Sequence, residues 1–167
     1  MDRKAIRKVA LSFIDQEELT GNSGFKDPKF EDMMEIVGWR KGQAWCSYFV
    51  ELVWQQSGMD TTLCSASAVQ TYINHDRQYL CHSIVKVGDI VIWQTYRNGK
   101  PRWTGHAGIV VSLVGQQIIT VEGNTNENGG REGIEVALKI RRRNNFDTNN
   151  GLRLRGFITP IKIPIND

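Results

Sequence analysis

The chain has no apolar run long enough to cross a membrane or to serve as a secretory leader. Its charged start, Met1-Asp2-Arg3-Lys4, leads into a segment interrupted by Ser12, Asp15 and Gln16, with no small-residue cleavage site after it. The expectation is a protein made in the cytoplasm, which would reach an outside target by release or dedicated export, without membrane insertion. Cysteine is scarce: Cys46, Cys64 and Cys81 make an odd count, so at most one internal disulfide can form, and a cytoplasmic chain is expected to hold none. There is no Cys-x-x-Cys pair. The irregular spacing of Cys64, His75, Cys81 and His82 argues against zinc, so no metal or other cofactor is expected. Excess charge is small too. A formal net charge of +3 selects no nucleic acid and identifies no other anionic partner. Repeats and low-complexity linkers are lacking, so residues 1–167 read as a single, monomeric domain. At 40% hydrophobic and 23% charged residues, that length can bury a real core.

What is present falls into two halves. Ile6, Val9, Ala10, Phe13 and Ile14 recur at helical spacing and predict an amphipathic helix over roughly the first seventeen residues. Thr20 to Gly24 is a loop. Asp27-Pro28 is a helix start, with Asp27 as N-cap, and that helix turns Phe30, Met33, Met34 and Val37 inward and ends at Gly38. A buried third helix runs from near Ala44 to Gly58. A fourth is predicted from about Ser67 to Leu80, with Val69, Tyr72 and Ile73 on its buried face. After Cys81 the period changes to that of strands: Ile90 to Trp93 after a turn at Gly88-Asp89, then Gly105 to Val114, Gln117 to Glu122, Ile134 to Ile140 and Leu152 to Thr159. Loops are expected at Arg97 to Pro101, Asn124 to Gly133 and Asn144 to Gly151. Helices first and an antiparallel sheet of about five strands second make an α+β fold.

Chemistry gathers at the join of loop and third helix. Cys46 lies in the first turn, near the positive end of the helix dipole, where a thiolate is favoured over a thiol. A thiol nucleophile needs a base, and a histidine base needs an acceptor to fix its ring. The hairpin around Gly115 supplies candidates. Opposed residues in an antiparallel pair have numbers of constant sum, so a turn centred on Gly115 sets His106 against Asn124, with Glu122 a diagonal neighbour on the same face. A two-residue turn would send His106 to the other face. The cluster therefore requires an odd-length turn or a compensating bulge. Either Glu122 or Asn124 could hold the imidazole. The Cys46 backbone N–H and the Gln43 side chain are candidate oxyanion donors, and Trp103, in the loop before His106, is a candidate substrate contact.

Trp45-Cys46-Ser47-Tyr48-Phe49-Val50, Gly88-Asp89-Ile90-Val91, Gly105-His106-Ala107-Gly108-Ile109-Val110 and Val121-Glu122-Gly123-Asn124 together resemble the CHAP family, the cysteine- and histidine-dependent amidohydrolases/peptidases. The approach from Thr20 to Gly42 and the closing Arg155 to Pro160 are similar to that family too, so the resemblance runs from about residue 15 to 160. It implies a papain-like fold and hydrolysis of peptidoglycan amide bonds. Cys46 would then be the nucleophile, His106 the base, Glu122 the group orienting the imidazole and Asn124 a further polar site residue. Some family members bind calcium through acidic residues before the cysteine. The corresponding Glu31, Asp32 and Glu35 lack alternating Asp spacing, which argues against calcium.

Each residue taken singly has a plainer reading. A lone helical cysteine is usually a small buried hydrophobe, Glu122 an edge-strand residue, Asn124 a turn former and Trp103 a loop anchor. Asp89 reads as the cap of its turn, and Arg141-Arg142-Arg143 as a solvated strand end. At the level of function, a peptidoglycan amidase or endopeptidase working through a thioester stands against two alternatives. One is a non-catalytic wall-binding module of the same fold. The other is a cysteine amidase acting on a non-wall amide. A phage lysin and an exported toxin both fit the single domain.

Overall fold

The computed structural model describes residues 2–75, 77–81, 84–125, 133–143, 145 and 148–163. Four helices precede the sheet: α1 (Arg3–Ser12), α2 (Pro28–Ile36), α3 (Cys46–Gln56) and α4 (Ala68–Asn74). The strands are β1 (Leu80–Cys81), β2 (Ile90–Arg97), β3 (Lys100–Val114), β4 (Gln117–Thr125), β5 (Glu135–Arg142) and β6 (Gly151–Ile158). They form one antiparallel sheet in the order β1-β6-β2-β3-β4-β5, five long strands with the two-residue β1 at an edge. The fold is α+β, as the element order predicts, and papain-like, as the resemblance implies.

Local chemistry sets most helix ends. The Asp2 side chain accepts from the N–H groups of Lys4 and Ala5, and the Asp27 side chain accepts from that of Lys29, ahead of Pro28. Gly38 and Gly58 follow α2 and α3 with φ of 94° and 71°, the left-handed geometry that ends a helix.

Two helices stop short of expectation. α1 ends at Ser12 although the apolar period runs on to Ile14. Asp15 turns left-handed at φ 71°, and the chain then pairs with the start of β5 through Asp15 N–H to Val136 O and Glu18 N–H to Ile134 O. α4 ends at Asn74 because His75 is extended. Leu80 and Cys81 belong to a strand paired with Ile158 and Phe157 instead. Val69 and Tyr72 of α4 are buried as expected, but Ile73 is exposed. The expected loop from Arg97 to Pro101 shrinks to a turn at Asn98-Gly99, so Trp103 stands in β3. Asn124 and Thr125 extend β4, while 126–132 of the expected following loop lie outside the described residues.

The main core lies between helices and sheet. Phe13, Phe25, Phe30, Trp39, Trp45 and Phe49 form a chain of ring contacts with centroids 4.8–6.4 Å apart. A second cluster, including Val91, Trp93, Val110, Ile118, Leu154 and Phe157, is separate from it. Asp89 is fully buried. It receives Arg3 of α1 at 2.6 Å and the Lys86 N–H at 2.7 Å, so it caps the turn before β2 and ties α1 to it.

Two features of the sheet place the polar residues of β3 and β4. The β3–β4 turn is the two-residue Gly115-Gln116, with Val114 opposite Gln117, Leu113 opposite Ile118 and Ser112 opposite Ile119. Val111 is then skipped, and Val110 faces Thr120 and Ile109 faces Val121. The even turn and the bulge cancel, so the face reversal that the turn alone would impose is undone. Gly123, between Glu122 and Asn124, leaves room for α3. A Cβ there would lie 2.5 Å from Trp45 Cζ3 and 2.8 Å from Phe49 Cβ. The first turn of α3 therefore rests directly on β4.

Gly123→Ala should consequently destabilise the fold by about 1–3 kcal/mol, the usual cost of overpacking a closed core. Urea unfolding measures this, and a loss under about 0.5 kcal/mol, the scale of an ordinary surface change, would show that the helix–strand contact is loose.

Candidate active site

Cys46 opens α3 from a loop whose last residue, Trp45, is the N-cap and offers no side-chain acceptor to the helix. A Ser or Asp there would engage a first-turn N–H group. The Trp45 indole instead donates to buried Glu18 at 2.8 Å. The first-turn N–H groups are therefore not taken up by a side-chain cap, and such groups at a helix start can bind an anion. Ser47 Oγ donates to Ser65 O at 2.6 Å, which fixes this turn against the loop before α4.

His106 of β3 and Glu122 of β4 are both fully buried, and His106 Nε2 lies 2.9 Å from Glu122 Oε2. The bulge at Val111 puts both on one face. Gly108 makes room between them: a Cβ there would meet Glu122 Cγ at 2.8 Å. With Nε2–H donating to the carboxylate, Nδ1 of a neutral ring carries the lone pair. Nδ1 is buried without a hydrogen bond of full geometry, and Cys46 is the side chain, besides Glu122, that acts on the ring. The Trp93 ring stacks on the imidazole at 5.8 Å and 27°.

Glu122 is heavily supported. Thr120 Oγ1 donates to its Oε1 at 2.6 Å, and Arg141 of β5 donates through Nε to Oε1 at 2.9 Å and through Nη2 to Oε2. The Arg141 guanidinium also lies 5.0 Å from the Trp93 ring centroid. Burial by itself would raise the Glu122 pKa, but Arg141 and His106 outweigh it and hold the carboxyl well below the usual range. Burial likewise pulls His106 down, while Cys46 and Glu122 together lift it to about 9. Such an arrangement can hold a proton on the imidazole next to a sulfur nucleophile and release it to a departing amine.

Three expected site residues, Cys46, His106 and Glu122, thus meet. The choice left open for the imidazole's partner falls to Glu122. Asn124, left-handed at φ 54°, lines a small cleft with Glu18, Asn22 and Ile134. Gln43 Oε1 accepts from the Arg40 N–H at 2.8 Å and the Tyr48 hydroxyl at 3.2 Å, which leaves its amide N–H₂ pointing elsewhere as a donor. Trp103 is 78% exposed and so anchors nothing; it lines a cleft of ≈ 580 Å³ with Ser65, Val69, Gln70, Gln94 and Arg102.

Arg141 corrects the reading of the arginine run as a solvated strand end. It stands opposite Ile118, and so on the face shared by Thr120 and Glu122. Its register with β4 was the available signal. A Cβ on Gly105 would sit 2.3 Å from Trp93 O and 2.9 Å from Val69 Cγ2, so this glycine serves internal packing.

Among the described residues no three His, Cys, Asp or Glu side chains gather as a metal site. Glu31, one of the acids before the cysteine, is occupied by the Phe25 N–H at 2.7 Å and Lys41 Nζ at 2.9 Å. Cys46 and Cys64 are free thiols. No helix among the described residues is long and apolar enough to cross a membrane.

The model of the CHAP domain family matches residues 38–124, a span that contains Cys46, His106 and Glu122 and ends on Asn124. No curated protein and no solved structure matches the chain.

The proton on His106 is the measurable consequence of this geometry. Its contribution to stability is complete below the unfolded value of about 6.5 and is lost as pH rises through about 9. That of ionised Glu122 is present above its ordinary 4.5 and lost as pH falls through the depressed value. An NMR titration should find the imidazolium persisting well above neutral pH, and Glu122→Gln should lower its midpoint by roughly one unit or more. An unmoved midpoint would mean that Glu122 does not hold the proton.

Proposed function

The chain belongs to the CHAP family, and from that premise we propose that it is a hydrolase of peptidoglycan amide bonds, an N-acetylmuramoyl-L-alanine amidase or a stem- or cross-bridge endopeptidase. The observation that carries the reading is the meeting of Cys46, at an uncapped helix start, with an imidazole fixed by a buried, arginine-supported carboxylate.

Cys46 Sγ, as thiolate, adds to the carbonyl carbon of the scissile amide, and the carbonyl π electrons move to oxygen. The resulting oxyanion takes hydrogen bonds from the Cys46 N–H and the Gln43 amide, whose orientation Arg40 and Tyr48 fix. Collapse breaks the C–N bond, and the imidazolium of His106 gives its Nδ1 proton to the leaving amine. A thioester remains. Neutral His106 then takes a proton from water, whose oxygen attacks the thioester carbon. The second collapse frees the carboxylic acid and returns thiolate and imidazolium. Glu122 keeps the ring oriented throughout and stabilises its charged form at each end of the cycle, and Arg141 keeps Glu122 ionised. Trp103 and Asn124 flank the centre as contacts for glycan or peptide.

Cys46→Ala should fold with an unchanged circular-dichroism spectrum and lose wall-clearing activity by roughly a thousandfold or more, the scale set by removing a nucleophile. Clearance of purified wall at the wild-type rate by this variant would defeat the proposal. Mass spectrometry of the released muropeptides assigns the bond. A protein that binds wall, releases nothing and resists iodoacetamide at Cys46 would be a binding module instead.

A further inference from the structure

Resting on that reading, we propose that the pocket between α4 and β6 is the subsite for a free carboxylate of the substrate's stem peptide, with Arg155 as its principal contact. The pocket, ≈ 670 Å³, is lined by Tyr72, Ile73, His75, Arg77, Leu80 and Arg155. Arg155 is half-buried, with its guanidinium 5.0 Å from the Tyr72 ring centroid and Nη1 donating to Gln94 Oε1. Its Nε is buried without a partner. Among the described residues no carboxylate pairs with it or with Arg77, and none lines the pocket.

A guanidinium drawn out of water is normally compensated by a counter-charge. Arg155 is half-buried with no carboxylate partner among the described residues, and the exposed Arg77 adds a second positive charge at the pocket. The planar fork of Arg155 matches a carboxylate bidentately. Tyr72, Ile73 and Leu80 supply apolar wall between the cations, which suits a ligand with a hydrocarbon body and one anionic end. His75 Nδ1 is held by Thr71 O at 2.7 Å, so the histidine serves as wall.

The pocket also continues the groove from the reactive centre. The Trp103 cleft begins at Ser65, whose carbonyl holds Ser47 beside Cys46, and at Val69, which abuts Gly105 beside His106. Ile73 lines both cavities. Gln94 joins them, with Nε2 donating to Arg102 O in the first and Oε1 accepting from Arg155 in the second. A peptide lying along the Trp103 cleft from Cys46 brings its far end to Arg155. The acid groups of wall stem peptides are the matching chemistry, and amidating them would remove the charge that Arg155 reads.

The test compares two muropeptides identical except that the stem carboxylate is free or amidated. Wild type should prefer the free acid by about tenfold in kcat/KM, carried by KM, as a charge-assisted contact allows. Arg155→Met should bring that preference close to one, and Arg155→Lys should retain part of it. Arg77 is exposed, and Arg77→Met, which removes the second charge at the pocket, should lower the preference several-fold. Calorimetry of the same peptides on Cys46→Ala protein reads binding without turnover. Equal binding of the two peptides, a preference unchanged in Arg155→Met, or equal losses on both substrates would overturn the subsite. So would stronger competition by glycerol phosphate than by the acidic peptide, which would assign the pocket to phosphate. A wild type that cuts both forms equally sinks the subsite and keeps the hydrolase. Arg155-dependent binding of the acid by a protein that cuts no wall does the reverse.

Discussion

The site depends on a carboxylate that has been taken wholly out of water. Glu122 has no exposed surface, and an unpaired ion there would cost several kcal/mol. Thr120, Arg141 and His106 offset that cost from three directions, and the three belong to three different strands. Arg141 is the essential counter-charge. Without it, two demands on Glu122 conflict, because the environment that strengthens its bond to the imidazole also favours its protonation. With it, the carboxyl stays ionised, and Cys46 together with Glu122 lets the imidazole keep its proton against burial. Polarity at one end of the sheet is thus stabilised as a network, and its geometry is fixed by the strands that carry it.

That network is only as good as the strand register. The two-residue turn at Gly115-Gln116 is an ordinary hairpin solution, but alone it would turn His106 away from Glu122. The bulge at Val111 restores the face within the same hairpin. Gly108 then lets Glu122 approach β3, and Gly123 lets α3 approach β4. Sheet pairing, one extra residue and two missing side chains bring Cys46, His106 and Glu122 together from distant parts of the chain. None of these is a chemical participant, yet a Cβ at either glycine would collide with the groups they admit.

Local signals were legible in the sequence. Asp27-Pro28, Gly38, Gly58 and the change of period after Cys81 act over a few residues, and each takes the expected role. The hairpin rule also gave a condition, an odd turn or a bulge, and the bulge meets it. What was illegible was decided at long range. The apolar period of α1 continues to Ile14, but pairing of the following residues with β5 ends the helix at Ser12. Leu80 reads as the end of α4, but β6 pairs with it and with Cys81 as a strand. Arg141 reads as one of three solvated arginines, because nothing near it in sequence says that Glu122 lies across the strand. Charge runs are usually solvated, and only the pairing of β5 with β4 separates Arg141 from its neighbours.

Burial sets what can reach the centre. Cys46 is 7% exposed and His106 not at all, so reactants meet the sulfur along a narrow approach and never the face of the imidazole. On the proposed reading an extended, flexible chain follows that path, with its flanks in the clefts lined by Asn124 and by Trp103. Those clefts differ in character. Asn124, Asn22 and buried Glu18 line the smaller one, while Trp103 and Arg102 line the larger, which leads on to Arg155 and Arg77. If the pocket at Arg155 takes the carboxylate as proposed, a substrate with an anionic flank lies in one direction across Cys46, and that direction would set which side of the scissile amide becomes the thioester and which leaves as the amine.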